Sequence, residues 1–572
     1  MSAKDQLIKN LKALQATVQE VDYQRRGYHV EVLLDNDKVR DFAQVMRRHD
    51  FYLVFVGGMH SAPNIEVVYQ FASFTLPCRI MGRAPVNGDC AVDTICDIFD
   101  GANWHERETK DMFGIVFKGH PYLQPLLLAE EDADLKPLLK SPTTLKPIEK
   151  LRCLPPAAPD DASAQPAPAA QPAAAAAEKP VLPALPAQPS AAAETTQRPA
   201  GMSQLDQTKK EHTFYLNMGP QHPSTHGVLR VLLEMDGEHC LENEPVLGYG
   251  HRMQEKMGES RSWAAFLPNT ARMDYLSALI YNHGYVGLIE RMAGLEVPRR
   301  AEFIRVITDE LNRVQSHLLW LGAFLLDLGA FTPIMYTFDD REQILDILEE
   351  LTGSRLTYSY HRVGGVCRDI DGRFSDATRA FIARLRGRFK MYDDLVTGNI
   401  IFIKRVKDVA FFPPDLARRY GLTGPCLRGA GIPYDIRRSE PYSIYPELDF
   451  EIPVGTSGDC LDAYLVRVRE MEQSLRIIEQ CLDLLPEGPF RNKVPRRMKL
   501  PQGDCSFSVE SSRGELAYHM TSDGTDVPYR LKIRVPSFSN LSVLPEVCRG
   551  MLLSDLAMTM GTLDLVIPEI DR

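Results

Sequence analysis

The sequence has no long apolar run, no paired cysteines and no glycine-rich nucleotide loop, and each absence closes off a class of function. Its longest apolar candidate, residues 317–331, is interrupted by Asp327, so nothing approaches the roughly 18 apolar residues of a membrane-spanning helix. Residues 1–20 mix Lys, Asp and Gln with isolated apolar side chains, which is unlike a signal peptide. Together these features predict a soluble, cytoplasmic chain. The 11 cysteines include no C-x-x-C, the spacing from which iron–sulfur and structural zinc sites usually draw their thiolates. Reduced, mostly buried thiols are expected instead, with no cluster or metal held by this chain alone. Basic charge is not in excess either. A formal charge of −11 argues against a nucleic-acid binder, which carries a basic face. With neither G-x-G-x-x-G nor a P-loop present, nucleotide binding by this chain is not expected.

What is present is enough material for three or four domains at roughly 100 to 200 residues each. Of the 572 residues, 44% are hydrophobic and 25% charged, a globular balance. One boundary is plain. Residues 155–200 hold 29 Ala and Pro among 46 positions and no aromatic. Such a stretch favours extended conformations and supplies nothing to a core, so residues 151–205 read as a disordered tether. Before it, residues 1–150 alternate helical and strand patterns and read as a small α+β domain. After it, residues 206–572 open with a β pattern at 214–218 and 228–235. Helical spacing follows at 275–293, 301–329, 342–351, 376–395 and 461–485, and a β-rich tail closes at 505–535. The expected architecture is multidomain α+β, the second domain mostly α-helical with β elements near both ends.

Four segments could carry chemistry. Trp104-His105-Glu106-Arg107-Glu108-Thr109-Lys110-Asp111 crowds charge between an aromatic and an apolar anchor. It suits either a solvated helix start or an ion-pair surface that docks another protein. Gly219-Pro220-Gln221-His222-Pro223-Ser224-Thr225-His226-Gly227 follows a strand, and its Pro and Gly residues make it a turn. Its histidines read as ordinary turn residues, as a metal pair, or as proton donors titrating near neutral pH. A third, in two pieces, 248–256 with Arg252 and 272–275 with Arg272 and Tyr275, suits capping and ion pairing. The fourth is the helix around Asp327, apolar on every face and so expected to be buried. A carboxylate there needs a partner or an upward-shifted pKa.

Taken together, these segments resemble a known family. The first part looks like the 30-kDa-type subunit of proton-pumping NADH:quinone oxidoreductase, respiratory complex I, whose W-x-E-R-E-x-x-D-x-x-G-I signature stands here at Trp104, Glu106, Arg107, Glu108, Asp111, Gly114 and Ile115. The second part is similar to the 49-kDa-type subunit. It shares the 219–227 turn, His251-Arg252 with Glu255-Lys256, Arg272-Met273-Asp274-Tyr275, residues 312–330, Arg362-Val363-Gly364-Gly365 and the closing Glu569-Ile570-Asp571-Arg572. Joined by the tether, the two regions look like a bacterial fused C/D subunit.

The resemblance implies a helical domain of the [NiFe]-hydrogenase large-subunit type. It also implies a quinone-headgroup site beside the [4Fe–4S] cluster of a neighbouring B-type subunit. Position by position, His226 and Tyr275 would hydrogen-bond the two quinone carbonyls, Asp327 would pair with His226, His222 would lie on the same turn, and Arg252 and Arg272 would sit near the cluster. Implied partners are the B-type subunit, a ferredoxin-like I-type subunit, and H- and A-type membrane subunits, with the chain peripheral on the cytoplasmic side of the bacterial inner membrane. A hydrogenase itself is not expected, since the places where such enzymes hold nickel read 249–254 and 564–568 here, without a cysteine. One departure stands out. Where many relatives have a histidine before the Gly-Gly pair, this chain has Thr357. A residue that cannot gain charge predicts a lower, less pH-dependent cluster potential, which a redox titration with a steep pH slope would overturn.

Overall fold

The structure, a computed structural model, describes residues 3–86, 89–152, 213–495 and 497–572. The Ala/Pro-rich stretch at 155–200 lies outside the described residues.

Helix α1 (Ala3–Lys12) precedes strands β1 (Thr17–Glu20) and β2 (Val30–Leu33), then helix α2 (Val39–Arg48) and strands β3 (Phe51–His60), β4 (Ile65–Ser73) and β5 (Arg79–Val86). The five strands form one sheet in the order β1-β2-β5-β4-β3, parallel only between β2 and β5. Helix α3 (Ala102–Phe113) follows. Both helices lie on one face. Register places Gly58 and Gly82 on the same side. A Cβ at Gly82 would stand 2.4 Å from the Phe42 ring of α2, and one at Gly58 2.5 Å from the Phe113 ring of α3. Glycine is required at both so that the aromatics can reach the backbone.

The opposite face of that sheet meets the second part of the chain. There the order is β6 (Thr213–Met218), β7 (Arg230–Asp236) and β8 (His239–Val246), an antiparallel three-stranded sheet. Five long helices follow: α4 (Ala278–Ala293), α5 (Arg299–Asp327), α6 (Phe331–Thr352), α7 (Gly372–Tyr392) and α8 (Cys460–Asp483). A second antiparallel sheet, β9 (Gly503–Ser511), β10 (Gly514–Ser522) and β11 (Arg530–Arg534), precedes α9 (Leu553–Leu563). Helices thus fill the middle, with strands near either end. Helix α6 starts well before the periodic segment at 342. Pro333 sits in its first turn, where a missing N–H breaks no helical bond. Among the described residues no helix is long and apolar enough to cross a membrane.

Buried ion pairs knit the two parts together. Arg83 reaches Asp504 at 2.9 Å, and Arg79 reaches Glu515 at 2.7 Å and Glu440 at 3.0 Å. Tyr52 donates to Glu515 at 2.7 Å. The charged run on α3 joins in. Its reading as a solvated helix start is not what the fold shows, because Glu106, Arg107, Glu108 and Asp111 are all buried. Glu106 accepts from the Thr94 hydroxyl and the Ile95 amide, and Asp111 from the amides of Leu126 and Leu127. Glu108 meets Lys532 at 2.9 Å and Arg572 at 3.2 Å. Of the charged run, Glu108 forms the ion pairs to the second part of the same chain, while Glu106, Arg107 and Asp111 bond groups of the first part.

Candidate functional site

The turn between β6 and β7 is built to present His226. Gly219 has φ +86°, and a Cβ there would lie 2.0 Å from the Leu229 carbonyl oxygen. The buried Thr225 hydroxyl sits 2.7 Å from the His222 carbonyl and 2.9 Å from that of Gly227, pinning the loop from inside. His222 is exposed and uses Nδ1 to accept the Ser224 amide at 3.2 Å. It works as the cap of the short turn at Pro223–Thr225. His226 itself takes a left-handed φ of 53°.

From that position His226 Nε2 lies 3.0 Å from Oδ2 of Asp327, the last residue of α5. The contact is electrostatic rather than an aligned hydrogen bond. Both atoms are buried, and among the described residues neither has a hydrogen-bond partner. A charged imidazole at this separation would feel an attraction of about 5 to 6 kcal/mol at an effective dielectric near 20. Helix α9 backs the pair. Trp320 of α5 donates its indole N–H to the Gly561 carbonyl at 2.7 Å, and a Cβ on Gly561 would come within 3.6 Å of Asp327 Oδ2. Ile567, just beyond α9, touches the turn at Gly227.

Tyr275 is held by the other end of that brace. Asp274 beside it is fully buried. Its Oδ1 accepts the Leu276 and Ser277 amides just ahead of α4, and its Oδ2 takes Arg513 at 2.8 Å. Arg513 also bonds Asp564, at the C-terminal cap of α9, through Nη2 at 3.1 Å and through Nε to its carbonyl at 2.9 Å. One short helix therefore supports both the His226–Asp327 pair and the Tyr275 segment. The Tyr275 side chain is partly exposed, and burial pushes its phenol above the ordinary value, with Arg513 opposing. Arg341 of α6, another group acting on Tyr275, is buried, and its Nε has no hydrogen-bond partner among the described residues.

Arg252 and Arg272 lie side by side. Arg252 donates to the Arg272 carbonyl at 3.1 Å and Arg272 to that of Pro268 at 2.6 Å. Both are exposed, and among the described residues neither pairs with a carboxylate. Thr357 also has a positive φ, 50°, in the loop after α6. Past Asp327 the surface turns apolar: Phe331 and Met335 at the start of α6 are 68% and 70% exposed, and Ile400 and Ile401 62% and 71%. Patches of this kind mark docking surfaces.

Sequence reasoning singled out His226, Asp327 and Tyr275 but missed Arg513, Asp564 and Arg341. Arg513 lies in a tight β hairpin, and its carboxylates are 239 and 51 residues away, a separation that leaves no local pattern.

Residues 32–146 match the family described as the 30 Kd subunit of respiratory-chain NADH dehydrogenase, and residues 327–499 and 492–572 match that of the 49 Kd subunit. Similar relatives include the D subunit of NADH-quinone oxidoreductase from Syntrophobacter fumaroxidans, 61% identical over 363 residues, which are 63% of this chain and 97% of the relative. The D subunit from Desulfotalea psychrophila is 58% identical over 63% of this chain and 98% of its own length. A second form of the D subunit from Opitutus terrae is also 58% identical, over 63% of this chain and 90% of its own length. The chain belongs to the D-subunit family of NADH-quinone oxidoreductase, complex I, with a 30-kDa-type region joined ahead of it.

Proposed function

We propose that residues 206–572 form the quinone-headgroup site of the assembled complex, with His226 and Tyr275 as the two proton donors. The His226–Asp327 contact at 3.0 Å carries this reading. Reducing a quinone to a quinol takes up two electrons and two protons, the protons going to oxygens at opposite ends of one ring. Two donors from separate segments are therefore needed. An imidazole and a phenol can each give a proton and take one back afterwards. While His226 is charged, Asp327 attracts it. Once the proton has gone to the quinone oxygen, that attraction collapses, and the unsatisfied Oδ2 is left to find a new partner. We take this loss as the start of the structural change that couples reduction to ion translocation.

The electrons come from a [4Fe–4S] cluster that this chain does not hold, in a B-type partner facing the exposed guanidiniums of Arg252 and Arg272. Positive charge there favours the reduced cluster. The apolar start of α6 is suited to closing the chamber against that partner and the membrane subunits, and the 1–150 domain to docking the remaining peripheral subunits. The chain is then peripheral, on the cytoplasmic side of the inner membrane. The helical core is taken to be of the hydrogenase large-subunit type, with the cysteine pairs of that metal centre replaced.

The test is quinone-reductase turnover of the assembled complex carrying His226→Ala or Tyr275→Phe. Retained quinone affinity with much reduced turnover supports the donor roles. A non-catalytic scaffold predicts turnover equal to that of the unaltered complex.

A further inference from the structure

Three side chains that the quinone reading leaves unused meet in the interior of the helical part. His283 lies on α4, Asp309 on α5 and His361 on the short strand His361–Arg362, which pairs with Gly365–Val366. All three are buried. His283 Nδ1 stands 2.5 Å from Asp309 Oδ2. The other carboxylate oxygen, Oδ1, faces His361 Nε2 at 3.7 Å, beyond hydrogen-bonding distance. It has no hydrogen-bond partner among the described residues, although it is buried. A buried carboxylate oxygen without a donor is an anomaly that asks for a ligand or a water. The two imidazoles are set edge to face, 5.4 Å between centroids, and one donor atom from each of the three residues lies within 4.8 Å of the others.

We propose that His283, Asp309 and His361 form a binding site for a divalent transition-metal ion of the zinc class. Two imidazole nitrogens and one carboxylate oxygen are a donor set such ions accept. With metal–ligand bonds of about 2.1 Å, a tetrahedral site spaces its donor atoms about 3.4 Å apart. The two observed contacts go to different oxygens of Asp309, 2.5 Å to Oδ2 and 3.7 Å to Oδ1, and with one donor atom per residue all within 4.8 Å, side-chain shifts on the order of an ångström would seat the ion. The ion replaces the proton between His283 and Asp309, and that proton leaves to water. Thr308, whose hydroxyl lies 3.1 Å from His361 Nε2, yields that contact as the nitrogen turns to the ion.

The guanidiniums of Arg305 and Arg362 oppose positive charge at His361, but most of the nearest cations are already matched by carboxylates. Arg305 is already paired with Glu290 at 2.7 Å, and Arg313 and Arg437 with Glu310 at 3.2 and 3.0 Å. A cavity of about 570 Å³, lined in part by Glu290, Arg305 and Tyr442, reaches the group on its His283 side. The rival cluster of Cys96, Glu106 and His120 is a weaker host. Its carboxylate is fully occupied by Thr94 and Ile95, and burial drives the Cys96 thiol far above its ordinary pKa.

The purified full chain, stripped with a chelator, would be titrated with cobalt chloride and then zinc chloride. One equivalent of cobalt should give the intense visible bands of a four-coordinate nitrogen–oxygen site. Zinc should displace it and raise the thermal midpoint. The double variant His283→Gln/His361→Gln should weaken binding by at least about a hundredfold. No cobalt band and no zinc-dependent rise in the unaltered chain would overturn the proposal, whether or not the variant folds. So would equal binding by the variant, or a near-ultraviolet thiolate charge-transfer band that assigned the metal to cysteine.

Discussion

Arg513 bridges Asp274 and Asp564, 2.8 Å from one carboxylate and 3.1 Å from the other. All three are buried. This bridge joins the segment carrying Tyr275 to the end of the helix behind Asp327. Removing one member of a buried charge group leaves the others desolvated and unpaired, at a cost of about 3–5 kcal/mol. Arg513→Ala should therefore lower the thermal midpoint of the chain sharply, and Arg513→Lys, which keeps the charge but not the fork, should recover part of it. A loss below about 1 kcal/mol from Arg513→Ala in denaturant unfolding would show that the bridge is not structural.

Tyr275 has a phenol raised above its ordinary value of 10.0, burial outweighing Arg513. It stays protonated, and so able to donate, throughout the neutral and mildly alkaline range. Tyr275→Phe should lower kcat of quinone reduction by roughly 10²- to 10⁴-fold with a much smaller change in KM. No alkaline limb assignable to Tyr275 should appear in the unaltered complex below about pH 10. Such a limb, absent from the Tyr275→Phe complex, would contradict the account.

Glu106 provides a stability test in the first part of the chain. Burial pushes its carboxyl up to about 7 against the hydrogen bonds from Ile95 and Thr94, from an ordinary 4.5. The folded state therefore holds a proton that the unfolded chain has lost, and stability falls as pH rises through that window. The fall amounts to about 3 kcal/mol and levels off once the folded carboxylate is ionised. Glu106→Gln removes the titration and keeps an acceptor for the Ile95 amide. Its thermal midpoint should be flatter between pH 5 and about 8 than that of the unaltered chain, and parallel curves would refute the assignment.

How much of this is legible in the sequence differs from place to place. Asp327 stands out because a carboxylate in a helix apolar on every face has to be explained, and the turn at 219–227 because its prolines and glycines exclude a helix. The positions of His226 and Asp327 on separate elements can be read, and their 3.0 Å approach cannot. The charged run on α3 is ambiguous because the groups that neutralise it, Lys532 and Arg572, lie more than 400 residues further on. Helix α6 reads as starting late because its first turns carry Pro333 and exposed apolar side chains that do not follow a core-facing pattern. The His283–Asp309–His361 group leaves no trace in the sequence, since its members come from three elements with no shared spacing.

The most direct measurement is quinone-dependent turnover, together with ion translocation per electron pair, in vesicles containing the assembled complex with Asp327→Asn. An asparagine keeps the shape but cannot attract a charged His226. The account predicts that turnover falls by at least about tenfold and that translocation per turnover falls with it. Unchanged values for both would contradict it.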